Sequence, residues 1–263
     1  MTGSVVEARI RAAKQERAGA LVGYLPIGYP DLATSIEAAI TLTRHGVDVL
    51  ELGLPYSDPV MDGPAIQAAT TKALGNGFRL RHAFEAVREI TRASPDVPVL
   101  CMTYYNPVLS YGVERFAADL RAAGGAGLIT PDLVPDEAGE WLAASDAEGL
   151  DRVFLAAPTS SEQRIRRATE LSRGFTYVVS TMGITGARSD VDSAARTLVE
   201  RLRDVTDEPL AVGLGISTGQ QVAEVLGYAD GAIVGSRLVS ALGEGLDALA
   251  DAADGLAEGT RRR

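Results

Sequence analysis

Two carboxylates stand in a setting that tolerates few of them. In the stretch DVLELGLPYSDPVMDGPAIQAAT, residues 48–70, Glu51 lies in the middle of an apolar run, and Asp62 closes the Pro- and Asp-rich loop beyond it. Alternation with period two puts Leu50, Leu52 and Leu54 on one face of a strand, and Val49, Glu51 and Gly53 on the other. Burying a carboxylate there is costly. Desolvation also raises its pKa toward the range useful to a general acid or base. Two readings stay open for each residue. Glu51 is a proton donor and acceptor, or a structural carboxyl satisfied by backbone or a tyrosine. Asp62 is a second charged group of the same site, or the N-cap of a helix opening at Gly63-Pro64. Tyr177, inside a later apolar run, reaches the same pocket or belongs to the core.

What the chain lacks narrows the chemistry further. Its only lysines, Lys14 and Lys72, fall on expected helices, whereas a Schiff-base aldolase needs one inside the site. His45 and His82 also fall on helices, and no cluster of His, Cys and carboxylates has metal-ligand spacing. The lone Cys101 lies within a strand, with no histidine placed to activate it. Proton transfer is therefore left to carboxylates and tyrosines, with no metal and no cofactor expected in this chain. Two glycine motifs suggest an anion site: Gly213-Leu214-Gly215-Ile216-Ser217 and Val234-Gly235-Ser236. Glycine lets backbone N–H groups approach a phosphate closely, and a helix N-terminus adds its dipole. Gly183-Ile184-Thr185-Gly186 begins a further loop whose composition suits a mobile lid.

These residues must be positioned by a repeating frame. An amphipathic helix is expected over 4–17. Strands then follow at Ala20–Leu25, around Glu51, at Val97–Thr103, Ala126–Thr130, Arg152–Ala156, Phe175–Ser180, Pro209–Gly213 and Asp230–Val234. Helical patterns come between them, and the last runs from Arg237 to about Leu256. Eight such units in 263 residues, with no dividing linker, predict an α/β fold: a (β/α)₈ TIM barrel with an extra N-terminal helix, one domain over 1–263. An open doubly wound sheet fits less well, because no G-x-G-x-x-G opens the first unit. In a barrel the functional residues lie at the C-terminal ends of the strands, and phosphate commonly binds after strands seven and eight. The glycine motifs above fall there.

A net charge of −10 argues against nucleic acid or an anionic membrane surface as partner. The basic run Arg261–Arg263 is read as a frayed, solvated end. One cysteine excludes an internal disulfide. The charged N-terminal stretch has no signal-peptide core, and no apolar run reaches the ~18 residues a membrane helix needs. The expectation is a soluble, cytoplasmic protein.

At this point the motifs resemble a known family. The stretch ELGLPYSDPVMDGPAIQAAT is similar to the signature of the tryptophan synthase alpha chain. The likeness continues through MTYYNPVLSYG (102–112), TPDLVPDEA (130–138), FTYVVSTMGITGAR (175–188), GLGIS (213–217) and IVGS (233–236). The resemblance implies a lyase that cleaves indole-3-glycerol phosphate to indole and glyceraldehyde 3-phosphate in tryptophan biosynthesis. It places Glu51 as general acid/base, Asp62 on the indole N–H and Tyr177 as the active-site tyrosine. It places Tyr24, Met102 and Ile129 around the indole, Gly186, Gly215, Gly235 and Ser236 on the phosphate, and Thr185 on the lid. It also implies an alpha2beta2 complex with a beta chain that carries pyridoxal phosphate, docked over Pro55–Asp62 and Tyr105–Tyr111. Three positions depart from the pattern: Tyr24 and Met102 stand where Phe and Leu are common, and Thr181-Met182 where Arg-Ser begins the lid. Three alternatives remain at this stage: a lyase that acts without a beta chain, a sugar-phosphate isomerase on the same barrel, and an inactive barrel serving only as a binding module.

Overall fold

The computed structural model describes residues 3–179, 188–213 and 215–262. The strands are β1 (Ala20–Pro26), β2 (Val49–Gly53), β3 (Val99–Met102), β4 (Gly127–Ile129), β5 (Asp151–Val153), β6 (Leu155–Ala156), β7 (Thr176–Val179), β8 (Leu210–Gly213) and β9 (Gly231–Val234). They form one parallel sheet in the order β5-β4-β3-β2-β1-β9-β8-β7-β6. The two ends of that order, β5 and β6, are separated by Phe154 alone, so the sheet curls round as the expected barrel. The sequence reads Arg152–Ala156 as one strand, and Phe154 is why it falls in two. Its N–H donates to Ser172 Oγ at 3.2 Å, and its carbonyl accepts from Tyr177 N–H at 3.0 Å. Pairing is thereby handed from β4 below to β7 above.

Helices lie between successive strands because their apolar stripes need a partner. They are α1 (Val5–Glu16), α2 (Leu32–Arg44), α3 (Pro64–Gly75), α4 (Leu80–Ala93), α5 (Tyr105–Tyr111), α6 (Val113–Ala122), α7 (Gly139–Glu148), α8 (Glu162–Leu171), α9 (Arg188–Arg203), α10 (Gly219–Leu226), α11 (Ser236–Glu244) and α12 (Leu246–Ala257). Two differences from the sequence reading matter. The short α5 follows β3 directly; its seven residues fall below the length at which apolar periodicity is readable. The expected last helix breaks into α11 and α12 at Gly245, whose φ of +127° an L side chain rarely adopts.

Burial follows the alternation of the strands. Outward side chains pack with the helices in one cluster. Inward side chains form a second: Ala20, Val22, Val49, Leu100, Val153, Phe175, Ala211 and Ile233. The N-terminal helix closes the lower end of that interior. Val6, Ile10 and Ala13 are fully buried within the inner cluster. Arg9 and Arg17 bind the buried carboxylate of Asp48, whose other oxygen accepts from Leu21 N–H. The basic C-terminal run is not frayed as its composition suggests. Arg262 donates to the carbonyls of Lys14, Gln15 and Arg17, the last carbonyls of α1, where a cation suits the helix dipole. Arg263 lies outside the described residues. With its lower end plugged, the interior left among the described residues is the cavity at the C-terminal ends of the strands.

Candidate active site

The upper ends of the strands surround a cavity of about 220 Å³. Its polar lining is Glu51, Asp62, Tyr24, Tyr177 and Ser236; Met61, Ile66, Met102, Leu155, Val179 and Ile233 supply apolar wall, and Gly63, Gly213, Gly215 and Gly235 leave room. Ile129, named with the indole pocket, is fully buried in the inner cluster and is not in the lining. Gly186 and Thr185 lie outside the described residues, as does the rest of the expected lid through 187.

Glu51 projects inward from β2, in register with Tyr24 on β1 and Leu100 on β3. It is fully buried, and neither carboxyl oxygen has a hydrogen-bond partner among the described residues. The backbone or tyrosine satisfaction that would make it structural is therefore missing. Burial, then the negative charge of Asp62, pushes its pKa up to about 8. Glu51 is thus predominantly protonated at neutral pH, an acid by default.

Asp62 is half-buried on the loop between β2 and α3, and burial raises its pKa too. It is not the helix cap: α3 starts from Gly63 with Pro64 in its first turn and no side-chain cap bond. Its carboxylate is free for the cavity. The loop is held by a residue that sequence reasoning passed over. Tyr104 Oη accepts from Val60 N–H and Met61 N–H, both at 2.8 Å, and its ring stacks on Tyr56 with centroids 5.3 Å apart. Next to it, Tyr105 N–H donates to Asp132 at 2.9 Å. The signal was the aromatic pair following β3, but nothing local says that its first hydroxyl reaches back to another loop.

Tyr24 and Tyr177 each lean over a glycine on the neighbouring strand. A Cβ at Gly53 would collide with Tyr24 Oη, and one at Gly213 would lie 2.6 Å from Tyr177 Oη. Burial and the carboxylates hold both phenols well above their usual pKa, so both stay neutral donors; for Tyr177 the nearer charge effect is Glu51. Gly53 and Gly213 mattered in ways the sequence did not announce.

Of the two glycine motifs, one leads into a capped helix and the other into an uncapped one. The N-terminus of α10 is closed by its own residues: Thr218 and Gln221 form a reciprocal capping box. That of α11 starts at Gly235 with no side-chain cap, so its first N–H groups stay available. Ser236 opens that helix, facing Gly63 across the mouth, and Gly215 holds a φ of +63° nearby. Lys14 Nζ binds carbonyls at the barrel's lower end (2.8 Å to Ala229), and Lys72 lies over the Tyr29 ring, so neither reaches the cavity. His82 accepts from Arg79 N–H at the start of α4, and His45 pairs with Asp254. Burial raises the Cys101 thiol to about 12, leaving it inert. Among the described residues no group of three or more His, Cys, Asp or Glu could hold a metal ion.

At its upper end the barrel thus lines one cavity with a protonated carboxyl, a second carboxyl and an uncapped helix terminus, groups able to move a proton beside an anion. Comparison with known proteins narrows that chemistry. The family model described as tryptophan synthase alpha chain matches residues 10–261. The chain is 68% identical over 232 residues to the tryptophan synthase alpha chain of Leifsonia xyli, covering 88% of each, and 55% identical over 253 residues to that of Mycobacterium avium, covering 96% of this chain and 93% of the relative. A structure of Mycobacterium tuberculosis tryptophan synthase superposes with a TM-score of 0.94 at 51% identity, over 99% of this chain and 100% of that one. A Pyrococcus furiosus chain, from a study of mutual activation of the tryptophan synthase alpha2beta2 complex, gives 0.85 at 36% identity, over 92% and 98%. The chain belongs to the tryptophan synthase alpha chain family. It is a carbon–carbon lyase, cleaving indole-3-glycerol phosphate in tryptophan biosynthesis.

Proposed function

We propose that Glu51 and Asp62 carry this cleavage, and that the whole chain, 1–263, acts as one catalytic domain. The observation that supports it most is the buried, unpartnered and protonated Glu51 carboxyl beside Asp62. Glu51 gives its proton to C3 of the indole, which leaves positive charge in the ring. Asp62, as carboxylate, accepts a hydrogen bond from the ring N–H and stabilises that charge. Glu51, now ionised, takes the proton from the glycerol hydroxyl on the carbon bonded to C3. The carbon–carbon bond breaks, its electron pair returns to the ring as neutral indole, and the hydroxyl carbon becomes the aldehyde of glyceraldehyde 3-phosphate. Glu51 ends protonated, as it began. The protonated ring is the electron sink, so these steps call on no metal and no cofactor of this chain.

Tyr177 supplies a neutral donor beside Glu51. Tyr24 and Met102 line the indole end, with Ile129 beside Met102 on the neighbouring strand. Gly215, Gly235 and Ser236 seat the phosphate on the N–H groups of α11, and Gly186 and Thr185 complete the phosphate site and the lid. Replacing Glu51 by Gln should lower lyase turnover by about 10²–10⁴-fold, the usual contribution of a general acid–base group. A variant that keeps a third of normal turnover would remove Glu51 from the mechanism.

A beta-chain partner carrying pyridoxal phosphate fits the open end. The large hydrophobic side chains most exposed among the described residues include Val60 (81%) and Leu109 (50%), one in each expected docking segment. This apolar pair favours a subunit over a lyase that acts alone. The loop carrying Val60 also carries Asp62, so docking can order a catalytic residue. No helix among the described residues is long and apolar enough to cross a membrane; with the lone free cysteine, this is consistent with a cytoplasmic setting.

A further inference from the structure

Tyr24 enters the mouth from β1 with a hydroxyl that the two carboxylates leave unexplained. Its ring leans across β2, and its hydroxyl occupies space available only because residue 53 has no side chain. The residue is 6% exposed, yet the hydroxyl makes no hydrogen bond to a described residue, and neither does the Asp62 carboxylate. Once an indole fills the cavity and excludes solvent, each needs a partner, because an unpaired buried polar group is strongly unfavourable. The indole ring offers one polar atom, an N–H, which is a donor. It satisfies one oxygen of Asp62, and it cannot satisfy a phenol that keeps its proton.

We propose that Tyr24 is a positioning residue, donating its O–H to one oxygen of Asp62 in the filled site so that the other oxygen meets the indole N–H. This rests on the reading of Asp62 given above. The titratable groups facing Asp62 are Glu51 from β2, Tyr24 from β1, Tyr177 from β7 and Tyr104 beyond β3. Glu51 gives its proton to the substrate, Tyr104 accepts from the loop amides and is not part of the cavity lining, and the stronger charged neighbour of Tyr177 is Glu51. Tyr24 remains, with Asp62 as its strongest charged neighbour. A donor on the ionised form favours ionisation, so Tyr24 also keeps Asp62 charged while the ring is bound.

Tyr24→Phe keeps the ring packing and removes only the oxygen. The expected result is a kcat about tenfold lower with KM within about twofold, as befits loss of a hydrogen bond to a charged group. The acidic limb of the kcat profile, which reports Asp62 in the filled site, should move up by about half to one pH unit, while the basic limb set by Glu51 stays put. A carbon-13 titration of Asp62 with indole and glycerol phosphate bound should show the same upward move. An acidic limb and an Asp62 titration that do not move in Tyr24→Phe overturn the proposal, since a packing role would leave both in place. Asp62→Asn separates the two readings: if it is inactive, an unmoved limb condemns only the role of Tyr24, and if it is active, Asp62 and Tyr24 both leave the mechanism.

Discussion

Replacing Glu51 by Gln should make the protein more stable at neutral pH while it removes turnover. The folded protein holds this carboxyl at a pKa of about 8, against an ordinary value of 4.5. Below pH 4.5 both folded and unfolded chains carry the proton, and the folded state is at its full strength in this respect. As pH rises from 4.5 toward 8 the unfolded chain ionises while the folded one stays protonated, so stability is progressively lost. With 1.36 kcal/mol per pKa unit, the loss is about 1 kcal/mol at pH 5, about 3 at pH 7 and about 5 above pH 8. A glutamine cannot ionise and escapes this cost. Its amide meets the same unpartnered surroundings at every pH, which adds a constant offset. The informative quantity is therefore the change with pH of the difference between the two proteins. Urea midpoints at pH 5, 6, 7 and 8 should diverge in favour of Glu51→Gln. At ~2–4 °C per kcal/mol for a chain of this size, melting temperatures should separate by roughly 4–8 °C more at pH 7 than at pH 5. Parallel stability curves from pH 5 to 8 would refute the buried, protonated Glu51 and the acid role built on it.

Three other outcomes are expected. Gly235→Asp adds a carboxylate at the uncapped start of α11, where a Cβ already comes within 3.4 Å of Tyr24; glycerol-phosphate affinity should fall at least about tenfold by calorimetry, with indole affinity nearly unchanged. Tyr104→Phe leaves the Val60 and Met61 amides without their acceptor; hydrogen exchange at both should rise, and turnover should fall about tenfold in a folded protein. Leu109→Asp puts a charge at an exposed apolar position of the proposed docking segment; it should weaken beta-chain binding by at least about tenfold in an association assay, while the isolated chain keeps its lyase rate.

Periodicity made the frame readable in the sequence. Strands buried on both faces and helices with one apolar stripe differ in period, and that suffices to order a barrel and locate its open end. Glu51 was legible for the same reason, as a charge where the pattern demands an apolar residue. Asp62 was half legible: a helix cap and a site carboxylate look alike in one dimension, and only the observed start of α3 at Gly63 separates them. The roles of Tyr104, Gly53 and Gly213 were hidden, because each depends on which side chain arrives from another strand or loop. Arg262 misled for the converse reason: a charged terminal run looks solvated until the carbonyls at the end of α1 are seen beside it.

That last contact has a topological consequence. Ala18 N–H donates to Thr260 carbonyl at 2.8 Å, so the segment after α12 runs alongside the exit of α1. A linker from 262 back to residue 3 has to span little more than the length of α1, about 18 Å at 1.5 Å per residue. The barrel can thus be treated as a closed circuit whose starting point is arbitrary. Joined there and reopened at an exposed turn such as Gly77, where an added side chain would meet nothing within 4 Å, the chain would keep its order of neighbours around the ring. Anything fused at the original ends would project from the plugged face, leaving the cavity end of the barrel unobstructed.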